Sequence, residues 1–99
     1  MNLFLEFARG AFAKLECVTG DYEAKVLGLG VRFRLEVERG CERIVHYPFL
    51  WNERKGGWRS VNLRGFPYYL AYVIIDELIL VPAVAHAARH PNDWKERLP

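Results

Sequence analysis

Two connections too short to cross a sheet constrain this chain more than any other feature. The strand-like runs Trp58 to Arg64, Tyr68 to Ile75 and Leu78 to His86 are separated only by Gly65-Phe66-Pro67 and by Asp76-Glu77. A parallel crossover needs about a dozen residues or more, so neighbouring runs joined this tightly must form an antiparallel meander. Aromatic and β-branched residues dominate the second and third runs, which supports the strand assignment. Pro82 lies inside the third run and lacks an amide proton, which predicts an edge position or a bulge there.

The chain before the meander changes period. Leu3, Leu5 and Phe7 alternate with Asn2, Phe4 and Glu6, the pattern of a short opening strand. Ala8, Ala11, Phe12, Leu15, Val18 and Tyr22 then recur at three- and four-residue steps, predicting a helix over about residues 9 to 24 that bends or stops at Gly20. After Gly28 and Gly30 a second stripe follows, of Phe33, Val37, Cys41, Ile44 and Val45, and Pro48 ends it. Between its members, Arg32 with Glu36 and Arg34 with Glu38 stand at i,i+4 spacing, which reads as a solvated outer face. Asn92 or Asp93 after Pro91 predicts a last helical turn reaching about Leu98.

The expected architecture is therefore α+β: a strand, two helices, then a three-stranded antiparallel meander with a short C-terminal helix, in one domain spanning residues 1–99. Strand parity places Tyr68, Leu70, Tyr72 and Ile74 on one face of the sheet and Tyr69, Ala71, Val73 and Ile75 on the other. Helices cover one face, and an equally apolar opposite face is expected to stay partly open and to acquire a partner.

Composition narrows the function classes. With 52% hydrophobic residues the chain can build its own core, so Cys17 and Cys41 are expected as buried, reduced thiols rather than staples. His46, His86 and His90 are scattered, and neither metal nor cofactor is expected. The apolar stretches Phe66 to Ile75 and Leu78 to Ala85 fall short of the ~18 residues of a membrane span. The N-terminus lacks the pattern of a secretory signal, giving a cytoplasmic expectation. The net charge of +2 is small, but Arg54, Lys55, Arg59 and Arg64 fall in a segment without acids, which makes them candidates for binding a target or phosphate. At strand parity Arg59 goes with Val61 and Leu63, whereas Arg64 goes with Ser60 and Asn62, so the four do not all share a face. Trp51 and Trp58 flank this segment and read as core pillars.

Several local patterns then coincide with one superfamily. They are Asp21-Tyr22-Glu23-Ala24 before Leu27-Gly28-Leu29-Gly30, then Phe33 with Glu36-Val37-Glu38, and Arg43-Ile44 ahead of Pro48. Leu63-Arg64-Gly65-Phe66-Pro67-Tyr68 with Tyr72 follows, and then Ala83 to Pro91 with Trp94 and Arg97-Leu98. In this order they resemble the RelE/ParE toxin superfamily, most closely its ParE-like members. The resemblance implies the toxin of a type II toxin–antitoxin pair, a growth inhibitor neutralised by a cognate antitoxin and directed at DNA gyrase. The alternative it implies is a RelE-like, ribosome-dependent mRNA endoribonuclease, so whether the chain is an enzyme stays open. In the nuclease case Arg64, His86 and Arg89 are the catalytic candidates, with His86 as acid or base and the arginines on the phosphate. Tyr68, Tyr72 and Trp94 are the candidates for facing the antitoxin. The chain departs from the nuclease pattern by having no tyrosine beyond Tyr72 and by continuing through Pro91-Asn92-Asp93-Trp94.

Overall fold

The computed structural model describes residues 3–95. Its elements are β1 (Phe4–Phe7), α1 (Arg9–Lys25), α2 (Leu29–His46), β2 (Arg59–Asn62), β3 (Tyr68–Ile75), β4 (Leu78–His86) and α3 (Asn92–Lys95). The α+β order is the expected one. The sheet runs β1-β4-β3-β2, with β2, β3 and β4 as the antiparallel meander. β1 joins β4 in parallel, from Phe4 opposite Leu78 to Phe7 opposite Val81. Residues 96–99, and with them the expected end of the last helix and Arg97-Leu98, lie outside the described residues.

α1 does not stop at Gly20 but continues to Lys25. The cost of one glycine, about 1 kcal/mol, is small beside the burial of Ala11, Leu15 and Val18 on the same helix. The turn into α2 is closed by a carboxylate: Glu23 accepts the Gly28 amide at 2.8 Å through Oε2 and the Gly30 amide at 3.0 Å through Oε1. These are donors that the first turn of α2 leaves without intrahelical partners. Gly30 is needed for another reason, since a Cβ there would lie 2.5 Å from the Thr19 carbonyl oxygen. The two helices touch at that point.

The outer-face reading of α2 needs correction. Glu36 is buried, not paired with Arg32 on the surface, and its Oε2 accepts Arg43 Nη2 at 3.1 Å and the Arg64 amide at 2.7 Å. Arg34 reaches across to Glu16 of α1 instead of pairing with Glu38. Helical spacing permits the i,i+4 pairs, but a closer partner on another element wins. Phe12 and Val45, both assigned to apolar stripes, are exposed, as is Cys17, and Cys41 is half-buried.

Pro82 stands in β4, which is flanked on both sides and is not an edge. It sits in a bulge: Ala71 faces Ala83 and Val73 faces Leu80, so Tyr72 opposes both Val81 and Pro82. The missing amide proton is accommodated where the ladder is already interrupted. The bulge also shifts parity, so Ile79, Val81 and then Val84 all join Leu70 and Tyr72 in the core beneath the helices.

The helix-free face is not open. Trp58 and Trp94 cover it, edge to face at 4.8 Å, over Tyr69, Ala71, Val73, Ala83 and Ala85. Trp94 Nε1 donates to the Tyr69 hydroxyl at 3.0 Å. Trp58 is thus the core pillar its size suggested, while the strand that follows it is shorter than expected, Arg59–Asn62 rather than Trp58 to Arg64.

Candidate functional site

The C-terminal end of β4 delivers His86 to the edge of a cavity of about 390 Å³, lined also by Lys14 of α1, Arg89, Asp93 and Trp94. A second cavity of about 310 Å³ lies on its other side, between α1 and Tyr68. Tyr68 pairs with His86 across the sheet, and their rings meet edge to face at 5.1 Å. The Ala88 amide donates to His86 Nδ1 at 3.0 Å. With Nδ1 accepting, a neutral His86 ring carries its proton on Nε2 and offers a donor there, not a base. Burial first, then Tyr22 and Asp21, pushes the Tyr68 phenol above its usual range, so it too is a donor at neutral pH.

Arg64 does not share that cavity. The amide of its neighbour Leu63 donates to the Tyr68 carbonyl, and Tyr68 pairs with His86, so two strand spacings, roughly 10 Å, separate the Arg64 end of β2 from His86. Arg64 lines a notch of about 280 Å³ at the free edge of β2, together with Arg43, Trp51, Arg54, Ser60 and Asn62. Arg89 is exposed and lines both the His86 cavity and a recess of about 210 Å³ on the helix-free face, which Arg54, Ser60 and Asn62 share. The three catalytic candidates thus fall into two groups, His86 with Arg89 and Arg64 apart.

The basic segment divides in the same way. Arg54 lies over the Trp58 ring at 5.0 Å and borders both the notch and the recess. Arg59 is occupied, donating to the Trp51 carbonyl at 2.8 Å and to Glu53 at 3.4 Å over the Phe49 ring. Lys55 is exposed and lines none of these cavities. Arg43, Glu36 and Lys14 are the residues that sequence reasoning missed. Glu36 looked like a member of a solvated helix face, and no local signal brings α2, with Arg43, to the β2–β3 turn.

Two residues expected to face an antitoxin are buried. Tyr72 is fully enclosed, donates its hydroxyl to the Pro48 carbonyl at 2.7 Å, and has its pKa pushed up to about 12 by desolvation. Trp94 is buried against Tyr69 and Trp58. Only Tyr68 is part-exposed. The apolar surface lies elsewhere: Leu27, Val31 and Leu35 follow one another at four-residue steps over the helical hairpin, and Tyr47, Phe49 and Leu50 crowd the segment after α2.

Among the described residues no three His, Cys, Asp or Glu side chains gather as a metal site, and no helix is long and apolar enough to cross a membrane. His90, like His86, accepts a backbone amide through Nδ1, here that of Asn92 at 3.1 Å.

No protein-family model matches the chain, and no curated protein matches it in sequence. Among solved structures, a chain of the chromosomal ParDE TA system from P. aeruginosa matches it with a TM-score of 0.71 at 15% identity, over 85% of this chain and 95% of that one. At that identity the likeness is one of fold alone: the strand, the two long helices and the antiparallel meander are arranged as in that structure.

Proposed function

We propose that this chain is the toxin of a toxin–antitoxin pair, a cytoplasmic growth inhibitor held in check by a cognate antitoxin protein and directed at DNA gyrase. The observation that carries the reading is the fold likeness to a chain of the ParDE system, which extends over nearly the whole length of both chains. The separation of Arg64 from His86 supports a protein that acts by binding. A 2′-hydroxyl attack needs base, acid and phosphate-holding cation around one scissile bond. A neutral His86 whose Nδ1 accepts the Ala88 amide has Nε2–H to give, which suits the acid and leaves the base unassigned.

The alternative, an mRNA endoribonuclease, is favoured by one feature: Lys14, His86 and Arg89 surround a single cavity. One experiment separates the two. The chain is expressed alone under tight control in a bacterial host, and RNA integrity, nucleoid shape and gyrase-dependent DNA cleavage are followed after induction. Growth arrest with intact mRNA and trapped gyrase–DNA cleavage complexes is the expected result. Arrest with early mRNA cleavage that His86→Ala abolishes establishes the nuclease, and no arrest from folded, soluble protein overturns the toxin reading altogether.

A further inference from the structure

Arg43, Arg54 and Arg64 come from three separate parts of the chain, α2, the loop before β2 and the β2–β3 turn, and converge on the notch at the β2 edge. No acidic side chain lines that notch. Glu36, the carboxylate paired with Arg43, is buried and also accepts the Arg64 amide. Neither Arg54 nor Arg64 has an ion-pair partner among the described residues. Arg43 is already paired with Glu36, but Arg54 and Arg64 face the same opening without a carboxylate of their own, so an entering anion meets two unneutralised cations.

Two of the three arginines are also held in place. Glu36 and the Asn62 carbonyl, at 3.3 Å, both accept from Arg43 Nη2, and Arg54 is laid over Trp58. A guanidinium fixed in this way loses less freedom when it binds, and its planar fork matches phosphate oxygens in pairs. The notch continues around β2, through the shared Arg54, Ser60 and Asn62, into the recess whose far wall holds Arg89. That recess has no acidic lining either.

We propose that this groove around β2 is a phosphate-binding site, in which Arg43, Arg54 and Arg64 hold one phosphate group while Arg54 and Arg89 reach toward a second. Ser60 and Asn62 supply neutral donors between the two lobes. Glu36 is a positioning residue here, since it fixes Arg43 and the backbone that presents Arg64. The site does not depend on the toxin reading and holds whichever cellular target is correct. Its phosphate comes either from a nucleotide monoester or from the diester backbone of a single-stranded nucleic acid.

The test titrates the full chain separately with inorganic phosphate, adenosine 5′-monophosphate, a short single-stranded RNA and a glutamate-rich peptide. Backbone amide NMR shifts locate binding, and fluorescence anisotropy of labelled RNA gives affinity at several salt concentrations. Shifts are expected at Ser60 to Arg64. Arg54→Gln and Arg64→Gln are each expected to weaken binding about tenfold or more, the loss of one charge-assisted contact. Both side chains are exposed, and Arg64→Gln keeps the amide that Glu36 accepts, so these variants should fold; far-UV circular dichroism checks this. For RNA held through two phosphates, log affinity should fall against log salt with a slope of about −1.4. Saturation by the mononucleotide assigns a monoester, and binding of RNA alone assigns the diester backbone. Unchanged affinity in both folded variants overturns the site, as does failure of every phosphate probe to bind. Arginine-dependent binding of the peptide as tight as that of RNA overturns the assignment to phosphate.

Discussion

Glu36 is the residue whose local role departs most from its sequence context. It is a buried carboxylate in the middle of α2, held by Arg43 and by the Arg64 amide. Glu36→Ala strands a guanidinium and a backbone donor, and since the Arg43 side chain is about one-fifth exposed, the loss should be about 2–3 kcal/mol, at or below the low end for a broken buried pair. Urea unfolding checks this, and a loss below about 0.5 kcal/mol would mean that the carboxylate is not holding the turn. Two further residues set how the protein responds to alkali. Desolvation, with Glu38 and Glu42 adding, pushes the Cys41 thiol from 9.0 to about 11, and desolvation, partly offset by Arg59, pushes the Tyr72 phenol from 10.0 to about 12. In these windows the native state keeps protons that the unfolded chain has released, so stability falls as pH rises. The contribution of both groups is therefore complete below pH 9 and is lost between about pH 9 and pH 12. Urea midpoints across that range should decline, and Cys41→Ala should flatten the part between pH 9 and 11. A variant that declines as steeply as the parent would exclude the thiol as a source.

At the scale of elements, two glycines on neighbouring helices make opposite predictions. Gly20 sits in the interior of α1, and a Cβ added there would meet nothing within 4 Å, so Gly20→Ala should stabilise by roughly 0.5–1 kcal/mol through helix propensity alone. At Gly30 a Cβ meets the Thr19 carbonyl oxygen at 2.5 Å and Glu23 Cβ at 2.9 Å. Gly30→Ala must push the helices apart and should cost about 1–3 kcal/mol, the usual penalty of overpacking. Thermal melts of the two variants should move in opposite directions, and a downward shift for Gly20→Ala would show that α1 needs flexibility there. The elements themselves were legible in the sequence wherever periodicity was strong and the connections short. β3 matches the expected run to the residue and β4 ends at about the expected place, because the two-residue turn at Asp76-Glu77 leaves them little freedom of register. Illegible were the contacts that join elements: Glu36 to the Arg64 turn, Arg34 to Glu16, and Arg43 to the β2 edge. Each depends on which faces meet after packing, and that information is spread over residues 18 to 28 positions apart. The bulge at Pro82 was half legible, since proline excludes a regular ladder position but does not say whether an edge or an irregularity absorbs it.

For the molecule as a whole, the sheet separates two cores of unequal strength. The helix-side core is large and draws on β2, β3 and β4 as well as both long helices, whereas the other rests on Trp58 and Trp94 packed over the small side chains of Ala71, Ala83 and Ala85. Small residues on the sheet leave room for two indoles, which explains how α3 can dock through Trp94. This closure is also why the helix-free face, expected from parity to be open, is covered: parity says which residues face outward but not what a distant tryptophan does. The covering should therefore be the weaker half of the fold. Trp94→Ala should cost roughly 3–5 kcal/mol, as large core truncations do, and should uncover apolar sheet surface that a hydrophobic dye detects. Trp94→Phe keeps most of the ring contact and loses the hydrogen bond to Tyr69, so it should cost less, with about 1 kcal/mol coming from that bond. If Trp94→Ala unfolds at the same urea concentration as the parent and binds no dye, α3 does not seal the sheet, and the second core must stand on Trp58 alone.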